Sequence, residues 1–290
     1  MFGNELRPLL EESKQTRLGK DFYQTRRLQP SAIAASAQAV ARFAEIAREQ
    51  SAATIRVVAT SAARDAINSV ELTDAIENAS GLKVEIISGE QEANWVFQGA
   101  TSDGTFAHVP ILLLDVGGGS AEFILGRGKQ KHFCQSLPIG SVRLMESFPP
   151  SDPPKRGELG ACRGWVREFL KKELLPNLQP ALEKEPNDAV RLVGTGGTTS
   201  ILARMEARLE EYDRDRIEAT RLGLDRLRWH VNHLWSLTLD QRKTIVGLPK
   251  SRADVILFGA VIYEAVMEQF GFSELRISTR GLRFAVLIEG

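Results

Sequence analysis

An acidic residue closes an apolar run at Asp115, and Val116-Gly117-Gly118-Gly119-Ser120-Ala121 separates it from a second acid, Glu122. Glycines let the backbone fold closely around a phosphate whose charge is met by exposed N–H groups, and Ser120 adds a hydroxyl donor. Asp115 and Glu122 supply hard oxygens that suit a magnesium ion, held directly or through its waters. The same residues also describe a plain glycine-rich hairpin in which Asp115 caps the turn. A second turn, Gly194-Thr195-Gly196-Gly197-Thr198, follows another apolar run and precedes a helical pattern. Amides at such a helix start form a natural anion site. Alone, the turn is equally a tight strand-to-helix connection; two such turns suggest a phosphate chain or nucleotide held from two sides.

Glu90 and Glu92 open a helix after Ser88, with the two carboxylates on different sides of it. Either favours the helix dipole, and either can activate a water for in-line attack on a phosphoryl group. The residues alone leave that choice open. Arg64 follows a short β run and Thr60-Ser61, the kind of strand end at which α/β proteins bind ligands. Its guanidinium can grip phosphate oxygens or pair with Asp65. Arg17, Lys20, Arg143, Arg252 and Arg280 are further cations for a cleft wall. His230 and His233 stand beside Trp229 and Trp235 without the companions of a zinc site, and read as helix-packing residues. Neither a Gly-x-Gly-Lys-Thr nucleotide loop nor a Gly-x-Ser-x-Gly nucleophile elbow occurs.

These groups need a scaffold. The 290 residues are enough for two domains, and a hydrophobic fraction of 43% is enough to fill their cores. Basic and acidic residues balance at 37 each, so no net field draws the chain to nucleic acid or to an anionic membrane. Cys134 and Cys162 make no disulfide framework. With no membrane-length apolar run and no signal sequence at its start, the chain is expected in the cytoplasm. Strands are expected over 6–14, 54–59, 83–87, 111–114, 189–193 and 275–278, with a hairpin of 121–125 and 131–137 around a glycine turn. Helical periodicity runs over 31–50, 70–79, 89–99, 141–148, 161–175, 199–209, 224–237, 253–270 and 281–288. The charged run 206–218 reads as a solvated helix end and loop. The alternation is that of an α/β protein.

Eight segments in order carry a resemblance. Thr16-Arg17-Leu18-Gly19, Ala59-Thr60-Ser61-Ala62-Ala63-Arg64-Asp65-Ala66, Ile87-Ser88-Gly89-Glu90-Gln91-Glu92-Ala93 and Asp115 to Glu122 are followed by Leu137-Pro138-Ile139-Gly140-Ser141-Val142-Arg143-Leu144 and Gly194 to Thr198. Arg252-Ala253-Asp254-Val255-Ile256 and Arg280-Gly281-Leu282-Arg283 complete the set, which spans nearly the whole chain. It resembles the exopolyphosphatase and guanosine pentaphosphate phosphohydrolase family in its short, two-domain form. The resemblance implies an actin-like, ribonuclease H-like (ASKHA) α/β fold with a cleft between two domains. Residues 1–108 with about 279–290 would form the first domain and 109–278 the second.

By that resemblance Glu92 is the catalytic carboxylate that activates water and Arg64 contacts phosphate. Gly117, Gly118, Gly119 and Ser120 form one phosphate loop, and Gly194, Thr195, Gly196, Gly197 and Thr198 the other. Asp115 and Glu122 are the metal-side acids, for magnesium or, in its place, manganese. The implied substrate is inorganic polyphosphate or guanosine pentaphosphate, and a homodimer is the family-based expectation. Family members begin with a strand and an Asp-x-Gly-Ser-Asn-Ser loop ahead of the region matched by 6–19. The first domain is therefore expected to be incomplete at its start by about 20 to 30 residues. Thr279 stands where the family commonly has Asp. Two other functions fit the residues: a noncatalytic polyphosphate or nucleotide-binding regulator, and an actin-like phosphotransferase using ATP.

Overall fold

The computed structural model describes residues 8–185 and 190–288. The chain forms two compact units, Met1–Ser88 with Val286–Gly290, and Gly89–Ala285. The first residues of the strands expected over 6–14 and 189–193 lie outside the described residues. Over 8–14 the expected strand does not form. Glu11, Glu12 and Lys14 give that stretch no apolar face, and Leu9 and Leu10 stand exposed.

In the first unit, α1 (Phe22–Thr25), α2 (Pro30–Glu49), α3 (Ser61–Asp65) and α4 (Ser69–Ser80) surround two parallel strands, β1 (Val57–Ala59) and β2 (Val84–Ile86). Pro30 opens α2, where its missing N–H costs nothing, and Gly81 ends α4 with a φ of 73°. Ile33 and Ala37 of α2 and Leu72 and Ile76 of α4 bury together with Phe22 and Leu28.

The second unit is built on a six-stranded sheet of order β5-β4-β3-β6-β8-β7. Its strands are β3 (Ile111–Val116), β4 (Ala121–Arg127), β5 (Gln130–Leu137), β6 (Arg191–Thr195), β7 (Arg221–Gly223) and β8 (Glu274–Ile277). Between Gly89 and Gly271 run α5 (Gly89–Thr101), α6 (Ser141–Ser147), α7 (Arg156–Glu173), α8 (Leu175–Leu182), α9 (Gly196–Glu206), α10 (Arg214–Ala219), α11 (Leu224–Ser236), α12 (Leu239–Arg242) and α13 (Ile256–Phe270). After β8, α14 (Leu282–Ile288) begins in this unit and ends in the first. The run 206–218, read as loop, contains the start of α10, because Asp213 caps it by accepting from the Arg216 amide at 3.1 Å.

Alternation along the strands divides the sheet into two faces. Leu112, Leu114, Val116, Phe123 and Leu125 bury in the large core with α13, which is apolar on all sides from Ile256 to Met267 apart from Glu264. Ile111, Leu113, Ile124 and Val193 point the other way, into a smaller core with Ala93, Val96, Phe97 and Ala100 of α5. Asp115, Glu122 and Thr195 continue this second set at the carboxyl ends of β3 and β6 and the start of β4.

Candidate active site

Asp115 and Glu122 are register partners across the antiparallel β3–β4 pair, which puts both carboxylates on one face. On the outer side Glu122 pairs with Ser136, whose hydroxyl donates to Glu122 Oε1 at 2.9 Å; on the inner side Asp115 pairs with Thr195. Helix α5 covers this face, and the charge of Glu92 in its first turn acts on both acids. Burial, then repulsion from Glu92, lifts the Asp115 carboxyl to about 7. Glu122 is 1% exposed, and burial with the charges of Glu92 and Asp115 pushes it up as well, against hydrogen bonds from Ser120 and Ser136. Glu90 is exposed, and its charge falls instead on Cys134 of β5. Of the two glutamates on this turn, Glu92 is the one whose charge reaches both acids.

The first glycine loop is a hairpin turn after all, closed by the Gly117 amide donating to the Ser120 carbonyl at 3.0 Å. Asp115 does not cap it. The loop's carbonyls are taken by α6: the amides of Ser141, Val142 and Arg143 donate to Gly117, Gly118 and Gly118 at 3.0, 2.9 and 3.0 Å. Arg143 Nε donates to the Gly119 carbonyl at 2.9 Å. In a trans peptide the N–H points opposite to the C=O. The amides of Gly118, Gly119 and Ser120 are therefore turned away from α6 as a group, an arrangement of the kind that can hold an anion. Gly140 permits the approach, since a Cβ there would lie 2.5 Å from the Gly118 carbonyl.

The second loop meets the first through Asp115. Gly196 has a φ of 81°, and a Cβ on it would collide with Asp115 Oδ1. Thr198 donates its hydroxyl to the Val116 carbonyl at 3.1 Å, and the buried Tyr263 hydroxyl donates to the Leu114 carbonyl at 2.9 Å while reaching Thr195 O at 3.4 Å. Thr198 and Thr195 are thus internal, and what this loop presents to an anion is the backbone at the start of α9. Thr195 Oγ1 is buried with no partner among the described residues, and Gly281 packs directly against it.

Arg64 lies in the first unit on α3, where Nη1 donates to the Ile87 carbonyl at 3.0 Å and Nε stands 3.8 Å from Asp65. It holds Ile87, the residue just beyond β2. His230 is 3% exposed and bonds Glu206 at 2.7 Å, and His233 stacks on Trp229, so both are packing residues as read. Thr279 accepts from Arg214 Nη1 and donates to Glu218 Oε1, each at 2.5 Å. A cavity of about 20 Å³ beside the second loop, lined by Ser141, Thr198 and Arg252, has room for about one water. A larger hollow of about 550 Å³, near Arg191 and Glu274, is at the amino ends of β6 and β8, away from the acids.

No three His, Cys, Asp or Glu side chains among the described residues close around one point. The donor set fits magnesium nonetheless, because that ion is ordinarily held by one or two carboxylates, with waters and phosphate oxygens completing the shell. Mutually repelling acids and the unpartnered Thr195 hydroxyl mark a place that gains from a bound cation. Ser136, Gly140, Tyr263 and Glu218 were not singled out in the sequence for what they do here. Their roles depend on strand register and on contacts between distant segments, and only Gly140, within a motif, left a local trace.

Among known proteins, the model of the Ppx/GppA phosphatase family matches residues 2–289. Exopolyphosphatase 2 of Mycobacterium tuberculosis is 34% identical over 285 residues, 94% of this chain and 86% of that protein. The crystal structure of the Aquifex aeolicus Ppx/GppA family member superposes with a TM-score of 0.78 at 29% identity, covering 98% of this chain and 89% of that one. An exopolyphosphatase from Cytophaga hutchinsonii superposes with a TM-score of 0.85 at 26% identity, covering 97% and 88%.

Proposed function

The chain belongs to the Ppx/GppA phosphatase family, and from that membership we propose that it is an exopolyphosphatase-like hydrolase releasing the terminal phosphate of inorganic polyphosphate. Guanosine pentaphosphate is the second substrate in this reading. The observation that carries it is the pairing of Asp115 with Glu122 on one sheet face, beside the two glycine loops and within reach of the charge of Glu92 on α5.

Glu92 takes a proton from a water as that oxygen attacks the terminal phosphorus. The new P–O bond forms as the anhydride bond to the rest of the chain breaks, and the shortened polyphosphate leaves with its electron pair. Amides of Gly118, Gly119 and Ser120, with those at the start of α9, hold the phosphoryl oxygens as charge shifts. Asp115 and Glu122 would hold magnesium, or manganese in its place, which when bound neutralises phosphate charge. We also propose two actin-like domains, 1–108 with about 279–290 and 109–278; the separate sheets of β1–β2 and β3–β8 support there being two, while 89–108 and 279–285 pack in the compact unit of the second.

Phosphate release measured with polyphosphate, guanosine pentaphosphate and ATP plus small acceptors tests this. Magnesium-dependent release from polyphosphate is expected. Binding of polyphosphate without release would select the regulator, and ATP-dependent phosphorylation of an acceptor the phosphotransferase.

A further inference from the structure

We infer that Glu218, on α10, is a positioning residue that sets the turn 278–281 against both halves of the site. Its Oε1 accepts from the Thr279 amide at 3.1 Å and from the Thr279 hydroxyl at 2.5 Å. The same hydroxyl accepts from Arg214 Nη1 at 2.5 Å, and Arg214 lies 3.9 Å from the Glu218 carboxylate. With one proton to give, the Thr279 hydroxyl has its direction fixed: it receives from the cation and donates to the anion. Thr279 is 7% exposed, so an unmatched group there is not rescued by bulk water.

The turn so anchored touches the machinery at two places. Gly281 packs against Thr195 of the second loop, and its carbonyl fills the space where Gly99 of α5 has no side chain. Helix α5 carries Glu92, and Thr195 is the register partner of Asp115. The Ser278 amide further donates to the Gly194 carbonyl at 2.9 Å, so the turn extends the β6–β8 ladder into the loop itself. Arg214 and Arg280 lie over the Phe284 ring at 5.1 and 5.5 Å from its centroid and hold the far end of the turn. Glu218 touches no reacting atom; it acts by fixing the spacing between α5 and the second loop.

Two arms test this, the first independent of the hydrolase reading and the second resting on it. In hydrogen exchange on the full chain, Glu218→Ala speeds exchange of amides in 194–198 and 278–281 about tenfold, with 121–127 unchanged. Uniform change across both groups, or none, overturns the inference. In phosphate release, Glu218→Ala lowers kcat about tenfold with KM within twofold, the pattern of misplaced catalytic groups. Moving the carboxylate across the contact, in Thr279→Asp/Glu218→Ala, restores kcat to within about threefold by pairing residue 279 directly with Arg214. Loss that the double substitution does not restore reduces Glu218 to a packing residue. A wild-type protein that releases no phosphate sinks the hydrolase reading and leaves the exchange arm to decide.

Discussion

Glu122 and Asp115 are paired by register, not by sequence distance, and the cost of burying two acids side by side is readable in pH. Both carboxyls titrate above their ordinary values, Asp115 at about 7 against 3.8. The folded state therefore binds more protons than the unfolded chain between about pH 4 and the raised values, so stability falls as pH rises through that window. Without divalent cation, the unfolding free energy from urea titration at pH 8 is expected below that at pH 5, by on the order of a few kcal/mol. Magnesium should close most of that gap; a gap unchanged by magnesium would remove these acids as its ligands. Gly196 makes a sharper single-residue case. Gly196→Ala places a Cβ on Asp115 Oδ1 and forces a left-handed φ that costs about 1–2 kcal/mol by itself. Turnover is expected to drop at least tenfold, and wild-type activity in that variant would mean the second loop is not in contact with the site. The Asp115 and Glu122 motif was legible in the sequence because it is local. Ser136 was not, nor was the pairing of Thr195 with Asp115, because nothing in their neighbourhood states which strands will flank β3 and β4.

Helices α7, α11 and α13 show how an element is held where apolar patterning alone would be ambiguous. Glu264 is 2% exposed on the otherwise apolar α13, and Arg163 of α7 answers it with two hydrogen bonds of 2.7 Å while also reaching Asn232 of α11. Burial pushes the Glu264 carboxyl up even so. Arg163→Met leaves a buried, unpaired acid, and a loss of about 3–5 kcal/mol is expected in equilibrium unfolding. Because the orphaned carboxyl is then relieved by protonation, that loss should shrink as pH falls towards 5. A pH-independent loss would assign it to packing of the Arg163 stem. At this scale the sequence spoke clearly for α2, α9, α11 and α13, where periodicity is long. It misjudged 8–14 and 206–218: strands need partners that composition does not name, and the capped single helix α10 looks like charged loop until Asp213 is seen to close it.

For the whole molecule, the α/β fold is that of the Ppx/GppA structures it superposes on, related to actin and ribonuclease H folds. No helix among the described residues is long and apolar enough to cross a membrane. The two units differ in what they bury: three-residue strands and a small cluster in one, a six-stranded sheet with cores on both faces in the other. Amides of 57–59 and 84–86 should therefore exchange through openings of smaller free energy than those of 111–116, and equal protection would mean a single cooperative block. The ordered set of motifs made this architecture recognisable from the sequence, because glycine turns and strand-end acids keep their order along the chain. Which of Glu90 and Glu92 acts on the paired acids was not legible, because it depends on the helix lying over the sheet. The central claim is that Glu92 activates the attacking water, and Glu92→Gln assayed with polyphosphate and magnesium tests it most directly. Turnover should fall by about 10² or more, the range for loss of a general base, with polyphosphate affinity within a few-fold of wild type. Equal losses in turnover and affinity, or turnover close to wild type, would contradict it.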